Sequence, residues 1–353
     1  MRVDRPLQPN RLGPAGKTDS KASQPCVLVT GAAGFLGRHT VAALVDQGWH
    51  VIAISRQQPP PSPVGPSVRW IQGDVTDIGF MIEALRRVDA ICHLAAHIPA
   101  DHEDVNQVVK CLEVNAAATL RLADLAANQG IRRFVYLSGS NAYKFEGDPK
   151  GSGNLSVDEN HPLYPTGHGS YYLTSKFAGE VFLEHIRQTC GLPAITLRVS
   201  TPYGPQMSPR SIVADFMSSA QSGHGLCVRN GGIATYDFVY VYDVIGVVTQ
   251  ALAGGEPGVY NVGTGQATSV MELAHAVAAT FPDRDIPIIV ESGDASVSVG
   301  TIRFPAIDCS KAARILGFQP RGLKAGLRHY RNQLEQSVQI NLPLSPPSPA
   351  AIP

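Results

Sequence analysis

From Cys26 onward the chain alternates short, continuous apolar runs with longer stretches whose apolar residues recur at helical spacing. CVLVT (26–30) is a β-branched apolar run that ends directly in GAAGFLG, and RHTVAALVDQ follows with amphipathic period up to Gly48, placed for a left-handed C-cap. The reading is strand, tight turn, helix. HVIAIS predicts a second strand, and the proline density of QQPPPSPVGPS predicts a loop. SVRWIQGDV and VDAICHLAA predict two further strands with a helix at IGFMIEALRR between them, so the order is βαβαβ.

The alternation continues. VNQVVKCLEVNAAATLRLADLAANQG predicts one long helix closed by Gly130, RRFVYLS a strand, the segment from about Tyr171 to Thr189 a helix, and AITLRVS and GVYNVG two more strands. Continuous apolar strands alternating with helices predict an α/β fold, a Rossmann-type doubly wound parallel sheet with helices on both faces. From Thr201 the alternation loosens, which predicts a smaller α/β substrate cap at the carboxyl edge of the sheet, where ligands bind in such folds. The expected division is a disordered tail over 1–25, a nucleotide-binding domain over 26–200 that also receives 237–263, a cap from 201–236 and 264–330, and a Pro-rich tail over 331–353. No internal repeat is present.

Composition narrows the function classes. The 353 residues carry 29 basic and 29 acidic side chains, and charged residues are 16 % of the chain, against about 25 % in ordinary domains. Such a balance argues against a phosphate-neutralising surface, so nucleic acid is not expected as the main partner. Hydrophobic residues reach 44 %, yet no stretch approaches the roughly 20 apolar residues of a membrane span. The first 24 residues lack the apolar core of a secretion signal. Six widely spaced cysteines with no C-x-x-C read as reduced thiols in a cytoplasmic protein. No metal site is expected among the eleven histidines: His93 and His97 are four apart, but LAA and Pro99 fit a strand and loop.

Gly31, Gly34 and Gly37 form G-x-x-G-x-x-G between a predicted strand and a predicted helix. In that context the first glycine permits a sharp turn, the second lets the backbone approach a pyrophosphate, the third allows close helix packing, and the helix N-terminus offers N–H groups to the anion. With Phe35 and Leu36 they make the expected dinucleotide-binding turn. NAD sites usually carry an acidic residue about 20 positions on, but none occurs between Asp46 and Asp74. Arg56 at the end of the second strand could pair with a 2′-phosphate, so the cofactor is expected to be NAD(P), with NADP favoured. Alternatively Arg56 is a solvated loop residue.

Tyr172 and Lys176 stand four apart on one face of the helix YYLTSKFAGEVFLEHI. An ammonium beside a phenol favours the phenolate and predicts a tyrosine pKa lowered from about 10 toward the range useful for proton transfer.

Together these motifs resemble the extended short-chain dehydrogenase/reductase family, also called the NAD-dependent epimerase/dehydratase family. The resemblance runs from about Cys26 to Tyr330 and rests on VTGAAGFLG, GDVTD, HLAA, the Asn115 helix, FVYLS, YYLTSK, LRVSTPYGP, YDFVYVYDV, GVYNVGTG and IDCSKAARILGFQP. It implies Tyr172 as acid/base with Lys176 as its support. It further implies cofactor contacts from Asp74 and Val75 near the adenine, from Leu94, Ala95 and Ala96 beneath the cofactor, and from Asn115, Ser138 and Pro202, with Tyr203 beside Pro202 at the nicotinamide. Members commonly dimerise through two helices, here about 105–129 and 171–189, so a homodimer is implied.

Three positions depart from the family pattern. The Ser or Thr expected four residues before a tyrosine falls, counted from Tyr143, on Gly139, flanked by Ser138 and Ser140; Ser140 is named as the substitute. Nucleotide-sugar enzymes of the family tend to have Arg before the Asp of YDFVYV, where this chain has Tyr236, and a second phosphate-binding Arg where it reads Ser298, with Arg303, Arg210 or Arg229 as possible replacements. Neutral side chains cannot replace a guanidinium fork on a phosphate. The leading reading is therefore an oxidoreductase moving hydride at a secondary alcohol or ketone of a small molecule. The alternatives are a nucleotide-sugar epimerase or dehydratase that retains NAD, and a cofactor-sensing scaffold. The substrate pocket is expected between HIPADHEDV, the Lys144–Ser170 segment with His161 and His168, and Gln206–Thr235.

Overall fold

The computed structural model describes residues 24–57, 65–99, 104–143, 156–163, 170–291 and 306–340. The first half reads β1 (Cys26–Thr30), α1 (Phe35–Asp46), β2 (His50–Ser55), β3 (Val68–Gln72), α2 (Ile78–Ala84), β4 (Ala90–His93), α3 (Val105–Cys111), a π-helical stretch (Leu112–Ala117), α4 (Ala118–Asn128) and β5 (Arg133–Gly139). A two-residue strand β6 (Ser156–Val157), α5 (Ser170–Cys190), β7 (Ala194–Val199), β8 (Thr201–Tyr203), α6 (Ile212–Gln221), β9 (Leu226–Arg229) and β10 (Thr235–Tyr240) follow. The remainder is α7 (Val241–Ala253), β11 (Gly258–Val262), β12 (Ala267–Ser269), α8 (Val270–Ala278), β13 (Ile288–Glu291), β14 (Ala306–Ile307), α9 (Ser310–Leu316) and α10 (Leu323–Ile340).

Seven parallel strands form the central sheet in the order β11-β7-β5-β4-β1-β2-β3. Order reverses between β1 and β4, which opens a crevice at their carboxyl ends. The sheet is apolar on both faces because each is covered. One face packs against α1, α7 and α9 through Leu44, Val248 and Leu316, and the other against α2, α4 and α5 through Met81, Leu122 and Leu183. A third core joins α6, α8 and α10 around the three-stranded sheet β12-β10-β8.

Three elements differ from expectation. The long helix before Gly130 contains the π-helical stretch, which a periodicity argument cannot detect. The segment expected as a tail from 331 begins helical, because Leu327 and Tyr330 continue a buried stripe and α10 runs on to Ile340. Strand β10, which takes in the start of the 237–263 segment assigned to the nucleotide-binding domain, pairs with β8 and β12 and not with the seven-stranded sheet. The 1–23 and 341–353 parts of the expected tails lie outside the described residues.

Candidate active site

A cleft of about 510 Å³ lies over the β1/β4 switch point. Gly31, Gly34, Phe35, Leu36 and Gly37 line one side of it, Arg56, Asp74 and Val75 lie along β2 and β3, and Leu94, Ala95 and Ala96 follow β4. Ser138, Tyr172, Lys176 and Pro202 complete the set of sequence-named residues that the fold brings together here. Leu137, Val199 and Ser200 also line it; their signal in the sequence is only their place at the carboxyl ends of apolar strands.

The glycine turn fits a dinucleotide sterically. Gly31 has φ +67°, and a Cβ there would lie 2.7 Å from the Ala95 backbone nitrogen. A Cβ on Gly37 would run into the Gly31 carbonyl. Helix α1 starts at Gly34 with no side-chain cap and no acidic residue in its first turn, so its first N–H groups are free of side-chain acceptors and suited to an anion. At the far end the Ser138 hydroxyl is buried without a hydrogen-bond partner. A buried orphan hydroxyl facing a cleft suits a ligand group that would satisfy it.

Arg56 and Asp74 both line the cleft beyond β2 and β3. Burial works to raise the Asp74 carboxyl, but hydrogen bonds from the Thr76 backbone (2.9 Å) and hydroxyl (2.8 Å) and the charges of Arg56 and Lys110 outweigh it and hold it below the usual range.

Tyr172 and Lys176 reach the same cleft from the first turns of α5. The Tyr172 carbonyl accepts from the Ser175 hydroxyl (2.7 Å), which accepts in turn from the Asn115 amide (2.9 Å). Asn115 also clamps both backbone groups of His97, at 2.7 and 3.0 Å. It therefore does not line the cleft; it fastens the loop after β4 to α5 from within the π-helical stretch. Gly179 allows this close approach, since a Cβ there would lie 2.6 Å from the Asn115 carbonyl and from the Tyr136 hydroxyl.

The Lys176 ammonium sits 4.2 Å from the centre of the Tyr136 ring, and His93 stacks on that ring from β4. Thr119 spends its hydroxyl proton on the Asn115 carbonyl (2.8 Å), so His93 Nε2 donates to Thr119 (3.0 Å) and Nδ1 accepts from Thr30 (2.7 Å). Burial, aided by the Lys176 charge, pushes the imidazole down to about 3 and keeps it neutral.

One expectation is corrected. Lys176 does not bring the Tyr172 phenol down: burial, with the Cys111 sulfur adding to it, pushes the phenol up to about 12. Burial also lowers Lys176 itself to about 7, against the opposing pull of the Glu180 carboxylate. Desolvation penalises both charged forms and is the largest cause of each shift.

Other named residues lie elsewhere. Ser140 is buried in a tight turn after β5, where its carbonyl accepts from the Tyr143 N–H (3.1 Å), and it does not line the cleft. Pro202 lines the cleft, whereas Tyr203 points into the third core and donates to the Leu323 carbonyl (3.2 Å). Arg210 is exposed and Arg229 lies 3.5 Å from Glu291, both away from the cleft. Tyr236 faces Thr268 across β10 and β12. His161 lies edge-on to Tyr143. His168, Ser298 and Arg303 fall outside the described residues, as do 144–155 and 164–169 of the expected substrate loop. No group of His, Cys, Asp and Glu among the described residues is arranged to hold a metal, and no described helix is long and apolar enough to cross a membrane.

Residues 27–263 match the model of the NAD dependent epimerase/dehydratase family. The chain belongs to that family. It is 27 % identical to mouse dTDP-D-glucose 4,6-dehydratase over 356 residues, covering 95 % of this chain and 96 % of that one. Among solved structures it is similar to UDP-glucose 4-epimerase from Thermotoga maritima with UDP-glucose, at 25 % identity and TM-score 0.76, covering 89 % of this chain and 99 % of that one. It is also similar to the Thermus thermophilus UDP-glucose 4-epimerase in complex with NAD, at 26 % identity and TM-score 0.73, with 88 % and 99 % covered. The fold and the family are thus those of NAD-dependent enzymes of the extended short-chain dehydrogenase/reductase type.

Proposed function

We propose that the chain is an NAD(P)-dependent oxidoreductase that moves hydride at a secondary alcohol or ketone of a small molecule. The observation that carries this reading is the convergence of the glycine turn and the Tyr172–Lys176 pair on one cleft. The turn at Gly31–Gly37 would hold the pyrophosphate, Asp74 and Val75 the adenine side, and Lys176 and Ser138 the nicotinamide half. A bound nicotinamide supplies hydride exchange. Tyr172 holds the proton that the substrate oxygen gains or gives up. A phenol kept neutral by burial serves first as an acid; Ser140, which does not line the cleft, is assigned no contact to that oxygen.

The relatives support a second reading, a nucleotide-sugar epimerase or dehydratase that keeps its NAD through the cycle. Tyr236 and the surface positions of Arg210 and Arg229 weigh against a diphosphate substrate. The two readings separate on purified protein. Net consumption of NADPH or NADH with a member of a ketone panel supports the first, whereas firmly copurified NAD, no net consumption, and conversion of UDP-glucose or dTDP-glucose support the second.

Within the cofactor proposal, Arg56 favours NADP through the 2′-phosphate. Val105, Val109 and Leu112 along α3 and its continuation, with Val181 and Phe182 on α5, are exposed apolar side chains on adjoining helices, and a second copy of the chain is the proposed occupant of that face. All six cysteines are free thiols, in keeping with a cytoplasmic setting.

A further inference from the structure

Lys176 and Glu180 stand one helical turn apart on α5, and both are buried, at 5 % and 4 % exposure. Arg198, the one charged residue of the buried strand β7, reaches Glu180 with Nε at 3.0 Å and Nη2 at 2.8 Å. Both N–H groups end on the same oxygen, Oε2. The other oxygen, Oε1, is buried and has no hydrogen-bond partner. A guanidinium fork that takes both oxygens satisfies a carboxylate fully; this one leaves half of it bare in an interior where charge is felt strongly. A buried ion pair returns little net stability, because desolvation offsets its attraction, so stability does not account for the arrangement.

We propose that Glu180 is a positioning residue that keeps the buried Lys176 ammonium charged, with Arg198 fixing the orientation of the carboxylate. The inference rests on the reading of Lys176 as a cofactor-holding group. The groups that meet Lys176 are Glu180 one turn on along α5, the face of Tyr136 on β5 and the neutral His93 on β4, with Tyr172 one turn before it on the same helix and the Cys111 thiol acting on Tyr172. Of these, Glu180 is the carboxylate. Beyond Glu180, Arg198 is tied to the Tyr143 hydroxyl (3.0 Å) and the Glu159 carbonyl (3.1 Å), so the same cation also pins the segment after β5.

The sign is fixed by the chemistry. Burial lowers the Lys176 pKa and Glu180 raises it, so removing the carboxylate lets the ammonium lose its proton at lower pH. Nucleotide binding, which uses that ammonium, weakens as pH rises through the titration.

The test is NADH affinity by fluorescence titration between about pH 5.5 and 9, on protein freed of copurified nucleotide. Wild type is expected to show a falling alkaline limb, which Lys176→Met removes. Glu180→Gln is expected to move the limb about one unit toward acid, and Glu180→Asp, which keeps the charge, to leave it near the wild-type position. Glu180→Gln/Arg198→Met leaves neither charge unpaired, carries the same expectation, and decides the matter where the single variant does not fold. A purely structural role for Glu180 would lower melting temperature or affinity at every pH without moving the limb. An unmoved limb in the Gln variants overturns the inference while the reading of Lys176 stands; a limb that persists in Lys176→Met overturns that reading instead.

Discussion

At Gly31 and Gly37 the cleft is shaped by contacts too close for a Cβ, whereas at Tyr172 and Lys176 it is shaped by what surrounds two ionisable groups. The first end depends on backbone sterics within the turn Gly31–Gly37 and against the Leu94–Ala95 backbone. The second depends on side chains delivered from β4, β5, β7, α3 and the π-helical stretch, far apart in sequence. A steric site tolerates changes of charge and fails on added volume, and an electrostatic site does the reverse.

That contrast is sharpest for Gly37→Val. The new side chain would collide with the Gly31 carbonyl, and nucleotide binding is expected to be lost altogether, as read by NADH titration, with circular dichroism reporting whether the fold survives. Retained affinity would mean that the turn does not hold the pyrophosphate.

The two serines after β5 contrast in the same way. Ser140→Ala is expected to leave turnover and NADH affinity nearly unchanged, since Ser140 does not line the cleft. Ser138→Ala is expected to weaken NADH binding by about tenfold, since the orphan hydroxyl would otherwise be satisfied by the ligand. A fall in turnover of about a hundredfold in Ser140→Ala, the scale of one lost donor to a developing oxyanion, would instead place the reacting oxygen beside Ser140.

How legible each end was follows from the same contrast. The strand CVLVT, the glycine spacing and the helix to Gly48 carry their whole signal in adjacent residues, and the structure reproduces them as β1, the turn and α1. The direction of the Tyr172 shift was not legible, because i, i+4 spacing reveals that Lys176 is near but not that both groups are buried. The Glu180–Arg198 pair was also missed, although a signal existed: an arginine inside the apolar strand AITLRVS calls for a buried counter-charge. His93 inside AICHLAA is a similar mark, and its two threonine partners come from β1 and α4.

A smaller effect is expected at the rim. Arg56→Ala should weaken NADPH binding about fivefold and leave NADH binding nearly unchanged, since an exposed cation contributes modestly; equal loss for both would remove the 2′-phosphate contact. Val181→Glu lies outside the cleft and is expected to convert a dimer to a monomer by light scattering while NADH affinity holds. A monomeric wild type would remove the second copy from that face.

The most direct test of the central claim is Tyr172→Phe, assayed with whichever ketone or sugar nucleotide the wild type converts and with NADH binding measured in parallel. The account predicts turnover reduced at least about a thousandfold, the range for loss of a general acid, with NADH affinity kept within about a factor of two, because the phenol is assigned to the substrate proton and not to holding the nucleotide. Turnover at the wild-type rate would contradict it.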